Sequence, residues 1–260
     1  MACFAEDIGR KSRSNKVSLS HLEQHRSLGR GIFCAADVER IANFESGVYN
    51  RLLLPVLLGE KEDKIYEAAV GPGILQCWMK NQGISESEGC DISIKEVDLA
   101  KLFNPRVVQD DAIKHLQERF SPNSFSAIVA LDFYEHLERE DFSRFLEVAF
   151  SRLKVGGTLI LRGPNGDSPL VGTNLYNDVT HVWAYTTQSL RDLLSIAGFS
   201  RVSFVDDAES SLHSGRWWKL PLMVVAQHLL TWTLYAASRV KIKYWGASLY
   251  IFARKENDPT

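Results

Sequence analysis

Apolar positions along the chain change spacing several times, and each change predicts an element. From Phe44 to Leu58 they recur near helical intervals (Phe44, Val48, Leu52, Leu54, Val56, Leu57). Gly59 and the charged run after it supply a stop, and Pro55 is placed to kink or shorten this helix. Short apolar runs then predict strands over 64–70, 89–92, 106–109, 125–132 and 158–162. Helical patterns over 73–81, 93–102, 112–120 and 140–153 fall between and after them. Beyond a long loop come a predicted helix over 187–197, a strand near 201–205 and a last strand over 247–253. Strands alternating with helices call for an α/β fold, a parallel sheet covered by helices on both faces. Residues 1–40 are polar without a sustained period, there is no internal repeat, and 260 residues suit one substantial domain with additions. The expected division is an N-terminal extension over 1–45 that packs loosely or acts as a lid, one domain over 46–254 with a helical insert at about 216–240, and a tail over 255–260.

Composition narrows the partners. Hydrophobic residues make up 45%, charged residues 24%, and the formal net charge is -2, which argues against disorder and against a nucleic-acid footprint. A small or neutral partner is expected, with no nucleic acid. The four cysteines, Cys3, Cys34, Cys77 and Cys90, form no CxxC pair, so neither a zinc knuckle nor a disulfide scaffold is expected. The first thirty residues mix Arg10, Lys11, Arg13 and Lys16 with Glu6, Asp7 and Glu23 around no apolar core, so no signal peptide is predicted and a reducing, cytoplasmic setting is expected.

The chemistry concentrates at strand ends. The first predicted strand closes in EAAVGPG, Glu67 to Gly73. Glycines at a strand-to-helix turn let the backbone approach a ligand, and the helix N-terminus favours polar or anionic groups. Asp91 ends the next strand, where a carboxylate can accept from both hydroxyls of a ribose. QDDA, Gln109 to Ala112, ends the third; its acids either meet an adenine amino group or cap the helix that begins at Ala112. A nicotinamide site shares the glycine turn and the acid, but here Gly71 and Gly73 are followed by Gln76 where GxGxxG requires glycine.

EAAVGPG, EGCDIS, QDDA, FSAIVALDFYEHL and LKVGGTLILRGPN together resemble class I S-adenosylmethionine (SAM)-dependent methyltransferases, over residues 64 to about 206 and again in the final strand. The resemblance implies a Rossmann-like seven-stranded sheet in the order 3214576, the last strand antiparallel, with SAM along the carboxyl ends of the first four strands. It implies that Glu67, Gly71 and Gly73 hold the methionine end, Asp91 the ribose and Asp111 the adenine. Ala69, Ile92, Ala112 and Asp132 complete the expected cofactor contacts. The family usually has glycine where this chain has Ala69.

Methyl transfer to a hydroxyl needs a base for the departing proton. His136, in DFYEHL, and His181, in NDVTHVWAY, are the candidates; Asp178 is placed to orient His181, whereas Glu135 and His136 have the alternative of holding the local turn. The stretch NDVTHVWAYTTQSLRDLLSIAGF resembles a segment of methyltransferases of glycan biosynthesis and related small-molecule enzymes, which implies an O-methyltransferase acting on a sugar, glycan or other small metabolite. N-methylation of an amine and a catalytically inactive binding protein are the alternatives. No divalent metal is expected. Asp132, Glu135 and His136 resemble the acid, acid and histidine cluster of some quinone-biosynthesis O-methyltransferases and are the candidate ligands if an ion binds.

Residues 220–237, LPLMVVAQHLLTWTLYAA, contain no Lys, Arg, Asp or Glu, but Gln227, His228, Thr231 and Thr233 soften them and the stretch is short for a span. One reading is a helical insert packed on the domain or on a second subunit. The other is peripheral membrane contact through residues 216–245, where Arg216, Trp217, Trp218 and Lys219 on one side and Arg239, Lys241, Lys243, Tyr244 and Trp245 on the other suit a lipid interface.

Overall fold

The computed structural model describes residues 34–58, 64–206 and 220–256. The N-terminal part of the expected lid, and the Arg216–Lys219 flank of the insert, lie outside the described residues. In chain order the first elements are α1 (Ala35–Leu52), α2 (Leu54–Leu57), β1 (Ile65–Ala68), α3 (Ile74–Asn81), β2 (Ser87–Asp91), α4 (Ile94–Ala100), β3 (Val107–Gln109), α5 (Ala112–Arg119) and β4 (Phe125–Leu131). A 3-10 turn (Tyr134–His136) follows, then α6 (Arg139–Arg152), β5 (Leu153–Pro164), α7 (Val171–Leu175), α8 (Thr187–Ile196), β6 (Arg201–Asp206), α9 (Leu220–Ser238) and β7 (Ser248–Arg254).

The strands form one sheet in the order β3-β2-β1-β4-β5-β7-β6, the expected 3214576. The pairs from β3 to β5 are parallel, and β7 runs antiparallel to both β5 and β6. Alternation along the strands divides the core. Tyr66, Ile128, Ala130, Leu159 and Leu161 face the helices α5, α6 and α8, while Ile65, Ala127, Val129, Ile160 and Tyr250 face α1 and α3. A sheet buried on both faces explains why β4 and β5 read as nearly continuous apolar runs.

Two boundaries differ from the periodicity. The first helix begins at Ala35, not Phe44, because its opening turns bury only Val38 and Ala42, too few and too small to mark a stripe, while Phe44 itself is exposed. Trp78 of α3 ties the two helices, its Nε1 donating to Asn50 Oδ1 at 2.9 Å. β5 starts at Leu153, five residues early, since Phe125 pairs with Leu153 before the register shifts to Ala127 opposite Thr158.

The strand order reverses between the parallel neighbours β1 and β4, which places a crevice at their carboxyl ends. Both strands leave that edge through a non-glycine residue in the left-handed region, Ala69 with φ 53° and Asp132 with φ 53°. Aspartate tolerates this conformation; alanine does so at a cost of about 1–2 kcal/mol. Ala69→Gly should therefore raise stability, by about 0.5–1 kcal/mol once the extra freedom of the unfolded glycine is counted. Urea unfolding would measure it, and a loss instead would mean that the Ala69 methyl contributes more by packing than its backbone costs.

Candidate active site

The exit of β1 is built around a buried carboxylate. Glu67 is only 4% exposed, and its Oε2 accepts from Gln76 Nε2 at 2.7 Å. Gln76 Oε1 in turn accepts from Ser87 Oγ at 3.0 Å and from Asn104 Nδ2 at 2.8 Å, so α3, β2 and the loop before β3 are linked behind the turn. Burial raises the Glu67 pKa, the bond from Gln76 lowers it, and the Asp91 charge raises it again, leaving it at about 8. Gly73, at φ 92°, opens α3 where an added Cβ would lie 2.8 Å from Ala100 Cα, so this turn needs glycine twice over. At Gly71, φ 55°, an added Cβ would meet nothing within 4 Å, so the turn borders open space.

Asp91 stands beside that turn. Its Oδ2 accepts from Gly71 N at 2.8 Å and its Oδ1 from Ser93 N at 2.9 Å, which fixes the carboxylate while each oxygen keeps a further lone pair. Ile92 is exposed next to it. Asp111 caps α5, its Oδ1 accepting from Lys114 N at 2.8 Å, and Ala112 is buried behind it. Helix capping thus accounts for one oxygen of Asp111.

Asp132 does not join Glu135 and His136 in a ligand cluster. Its carboxylate grips Arg162 of β5 through two contacts, Nε donating to Oδ1 at 3.0 Å and Nη2 to Oδ2. Arg162 also reaches Tyr250 Oη at 3.1 Å and Glu45 of α1 at 3.8 Å. Burial works against the guanidinium charge, and Asp132, Tyr250 and Tyr49 outweigh it, so its pKa moves further above the ordinary arginine value.

His181 takes the place that the sequence suggested for Asp132. The loop of residues 165–185 is pinned to the segment that enters β7 by Asn165, whose Nδ2 donates to Gly246 O at 2.8 Å. The loop is stitched to the 3-10 turn by Val182 N, which donates to Glu135 O at 2.7 Å. His136 and His181 meet with ring centroids 4.6 Å apart, and His181 Nε2 lies 4.0 Å from Glu135 Oε1, with the two side chains 8% and 2% exposed. Nitrogens of both rings and the Glu135 carboxylate lie within 4.8 Å of one another. Asp178 is not the residue that orients His181. His181 Nδ1 lies 3.1 Å from the carbonyls of Asn174 and Leu175, which can only accept, so Nδ1 carries the hydrogen. Asp178 Oδ1 instead accepts from Thr180 Oγ1 at 2.7 Å, and Thr180 Oγ1 lies 2.9 Å from His136 Nδ1. The Thr180 hydrogen is spent on Asp178, so His136 Nδ1 donates to Thr180, and whenever either ring is neutral its lone pair sits on Nε2. Burial raises the Asp178 pKa, but the bonds from Thr180 and the nearby histidines bring it below its ordinary value, so it stays charged.

Arg162, Gln76 and Thr180 escape the sequence pattern, though each leaves a trace: a cation inside the apolar run LILRG, an amide three residues after Gly73, and a threonine two residues after Asp178.

A family model described as a methyltransferase domain matches residues 41–203. The chain belongs to this methyltransferase family. Solved structures share its fold. A SAM-dependent methyltransferase from Archaeoglobus fulgidus is 22% identical, covering 82% of this chain and 94% of its own, with a TM-score of 0.64. An O-methyltransferase family protein from Burkholderia thailandensis is 14% identical, covering 95% and 66%, at 0.59. Phosphoethanolamine N-methyltransferase 2 of Haemonchus contortus, in complex with SAM, is 14% identical, covering 94% and 61%, at 0.57. No curated protein sequence matches. SAM is the cofactor of the family, and the methyltransferase has a class I, Rossmann-like architecture.

Glu67 gives a test independent of any ligand. Its folded pKa of about 8 lies above the ordinary 4.5, so between these values the folded state holds a proton that the unfolded state has lost. Its contribution to stability is complete below pH ~4.5 and falls by up to about 1.4 kcal/mol per unit as the pH rises toward 8. Urea unfolding from pH 5 to 8 should show this slope in the native methyltransferase and a flatter one in Glu67→Gln; parallel slopes would contradict it.

Proposed function

We propose that the enzyme transfers the methyl group of SAM to a hydroxyl oxygen of a small acceptor, a sugar, glycan or other small metabolite. In this reading Glu67 meets the cationic methionine end, Gly71 and Gly73 let the backbone approach it, and Asp91 accepts from the ribose hydroxyls, with Ile92 and the Asp111–Ala112 pair beside the base. The residues suit the group: a buried Glu67 carboxyl that an adjacent cation would ionise, and a fixed carboxylate with spare lone pairs for a diol. Bound SAM would supply the methyl on a sulfonium, and the acceptor oxygen takes it in line as the carbon–sulfur bond breaks and its electron pair goes to sulfur.

The observation that carries the oxygen acceptor is the pair of imidazoles that meet beside the buried Glu135 carboxylate, each with its Nδ1 engaged. A hydroxyl must lose its proton as the new bond forms, whereas a neutral amine attacks without that help. Asp178, through Thr180, holds the His136 tautomer, and the Asn174 and Leu175 carbonyls hold that of His181. His181→Ala should lower turnover by about 10²-fold or more and leave SAM affinity by calorimetry nearly unchanged. Unimpaired turnover would remove His181 from the chemistry, and absence of SAM binding in the native chain would remove the transfer reading itself.

An acceptor carried at a lipid surface extends this reading. Supporting it, α9 presents apolar residues all round, with Leu222, Leu229 and Trp232 at 74%, 63% and 71% exposure. Its end leads into Arg239, Lys241 and Lys243, all exposed, and then Tyr244 and Trp245. Among the described residues no helix is long and apolar enough to cross a membrane, so the contact is peripheral. The protein should float with anionic liposomes, and Leu229→Glu with Trp232→Glu should abolish flotation; a native protein left at the bottom of the gradient would end this extension.

A further inference from the structure

The geometry points to a divalent transition-metal site formed by Glu135, His136 and His181. Three donors from two separate loops converge: one carboxylate oxygen and two imidazole nitrogens, all within 4.8 Å. Ligand atoms about 2.1 Å from a shared ion lie roughly 3–4 Å from one another, so small side-chain movements close the set.

Each imidazole is already prepared for the task. A ligating histidine must be neutral and must present the nitrogen that lacks hydrogen, which is achieved by engaging the other nitrogen with an acceptor. Here two backbone carbonyls hold His181 Nδ1, and the Thr180 hydroxyl, itself donating to Asp178, holds His136 Nδ1. His181 then faces the Glu135 carboxylate with Nε2, 4.0 Å from Oε1. The Glu135 carboxylate, almost wholly buried, gives the site its one negative charge, and its own backbone carbonyl anchors the loop that carries His181.

Two nitrogens and one oxygen favour zinc, iron, cobalt or manganese over magnesium or calcium, which prefer all-oxygen shells. Three protein ligands also leave positions open, as in catalytic sites. For what the ion does, the inference rests on the proposed transfer to a hydroxyl. An acceptor hydroxyl bound at an open position would be acidified by the ion and would give its proton to solvent water as the new bond forms, so in the loaded enzyme the histidines would act as ligands and not as the base. The ion set differs from the Asp132, Glu135 and His136 cluster of the sequence pattern, because Asp132 is held by Arg162.

The test uses the full chain, stripped with chelator and titrated with Co2+ alone, without SAM or acceptor. We expect one Co2+ per chain by calorimetry, with the visible absorption bands of a nitrogen- and oxygen-ligated ion, displaced by Zn2+ but not by excess Mg2+. His181→Ala and Glu135→Gln should each weaken binding by at least tenfold, and Thr180→Val, which removes only the support of His136, by about tenfold. Circular dichroism checks that each variant is folded. No stoichiometric binding, or binding unchanged in both His181→Ala and Glu135→Gln, would overturn the site. Cobalt binding in a protein that fails to bind SAM would instead sink the transfer reading and leave the metal site standing.

Discussion

A guanidinium with little access to water must be surrounded by acceptors, and Arg162 sets the carboxyl edge of the sheet by meeting that demand. It rises inside an apolar strand and draws Asp132 from the end of β4, Tyr250 from β7 and Glu45 from α1 toward one point. A buried charge stripped of its partner costs several kcal/mol, which makes the pairing with Asp132 obligatory once Arg162 is present. The chain then leaves β4 in the left-handed conformation and turns through Tyr134–His136. Glu135 and His136 there meet His181 of the following loop. The ion pair thus decides which acidic residue belongs to the cluster and which belongs to the scaffold.

The sheet was legible because its signals are local. Apolar runs bounded by glycine and acid mark strands wherever both faces are covered, and β1 to β4 fall within a few residues of their predicted positions. The first helix was partly hidden because Val38 and Ala42 bury little surface, while Phe44, its loudest apolar residue, faces water. Turn residues were equally readable: Gly73 sits where both its φ and the approach of Ala100 require it.

The site was less legible because its contacts are nonlocal. Glu135 and His136 were readable as neighbours, but their meeting with His181 depends on Val182 donating to Glu135 O across a separation that no spacing rule covers. Asp178 shows the limit most clearly. Its place three residues before His181 suggested an orienting role there, and the Asx-type bonds to Thr180 direct it to His136. Asp111 behaved in the opposite way, since capping is a local property and the alternative of a helix cap was visible from QDDA.

The return of the chain to the last strand holds a different lesson. The Asp206 carboxylate, at the end of β6, accepts from the backbone N–H groups of Trp245 and Gly246 at 2.6 and 2.8 Å. The end of β6 and the segment that enters β7 therefore meet at a single side chain, where Asn165 and Ser168 of the site loop also hold the returning chain. Lengthening the excursion between them, which includes α9, costs only about 0.6 kcal/mol per doubling. A change in the length of that excursion would alter the surface the enzyme offers to its surroundings while the clasp at Asp206 keeps the ends of β6 and β7 together.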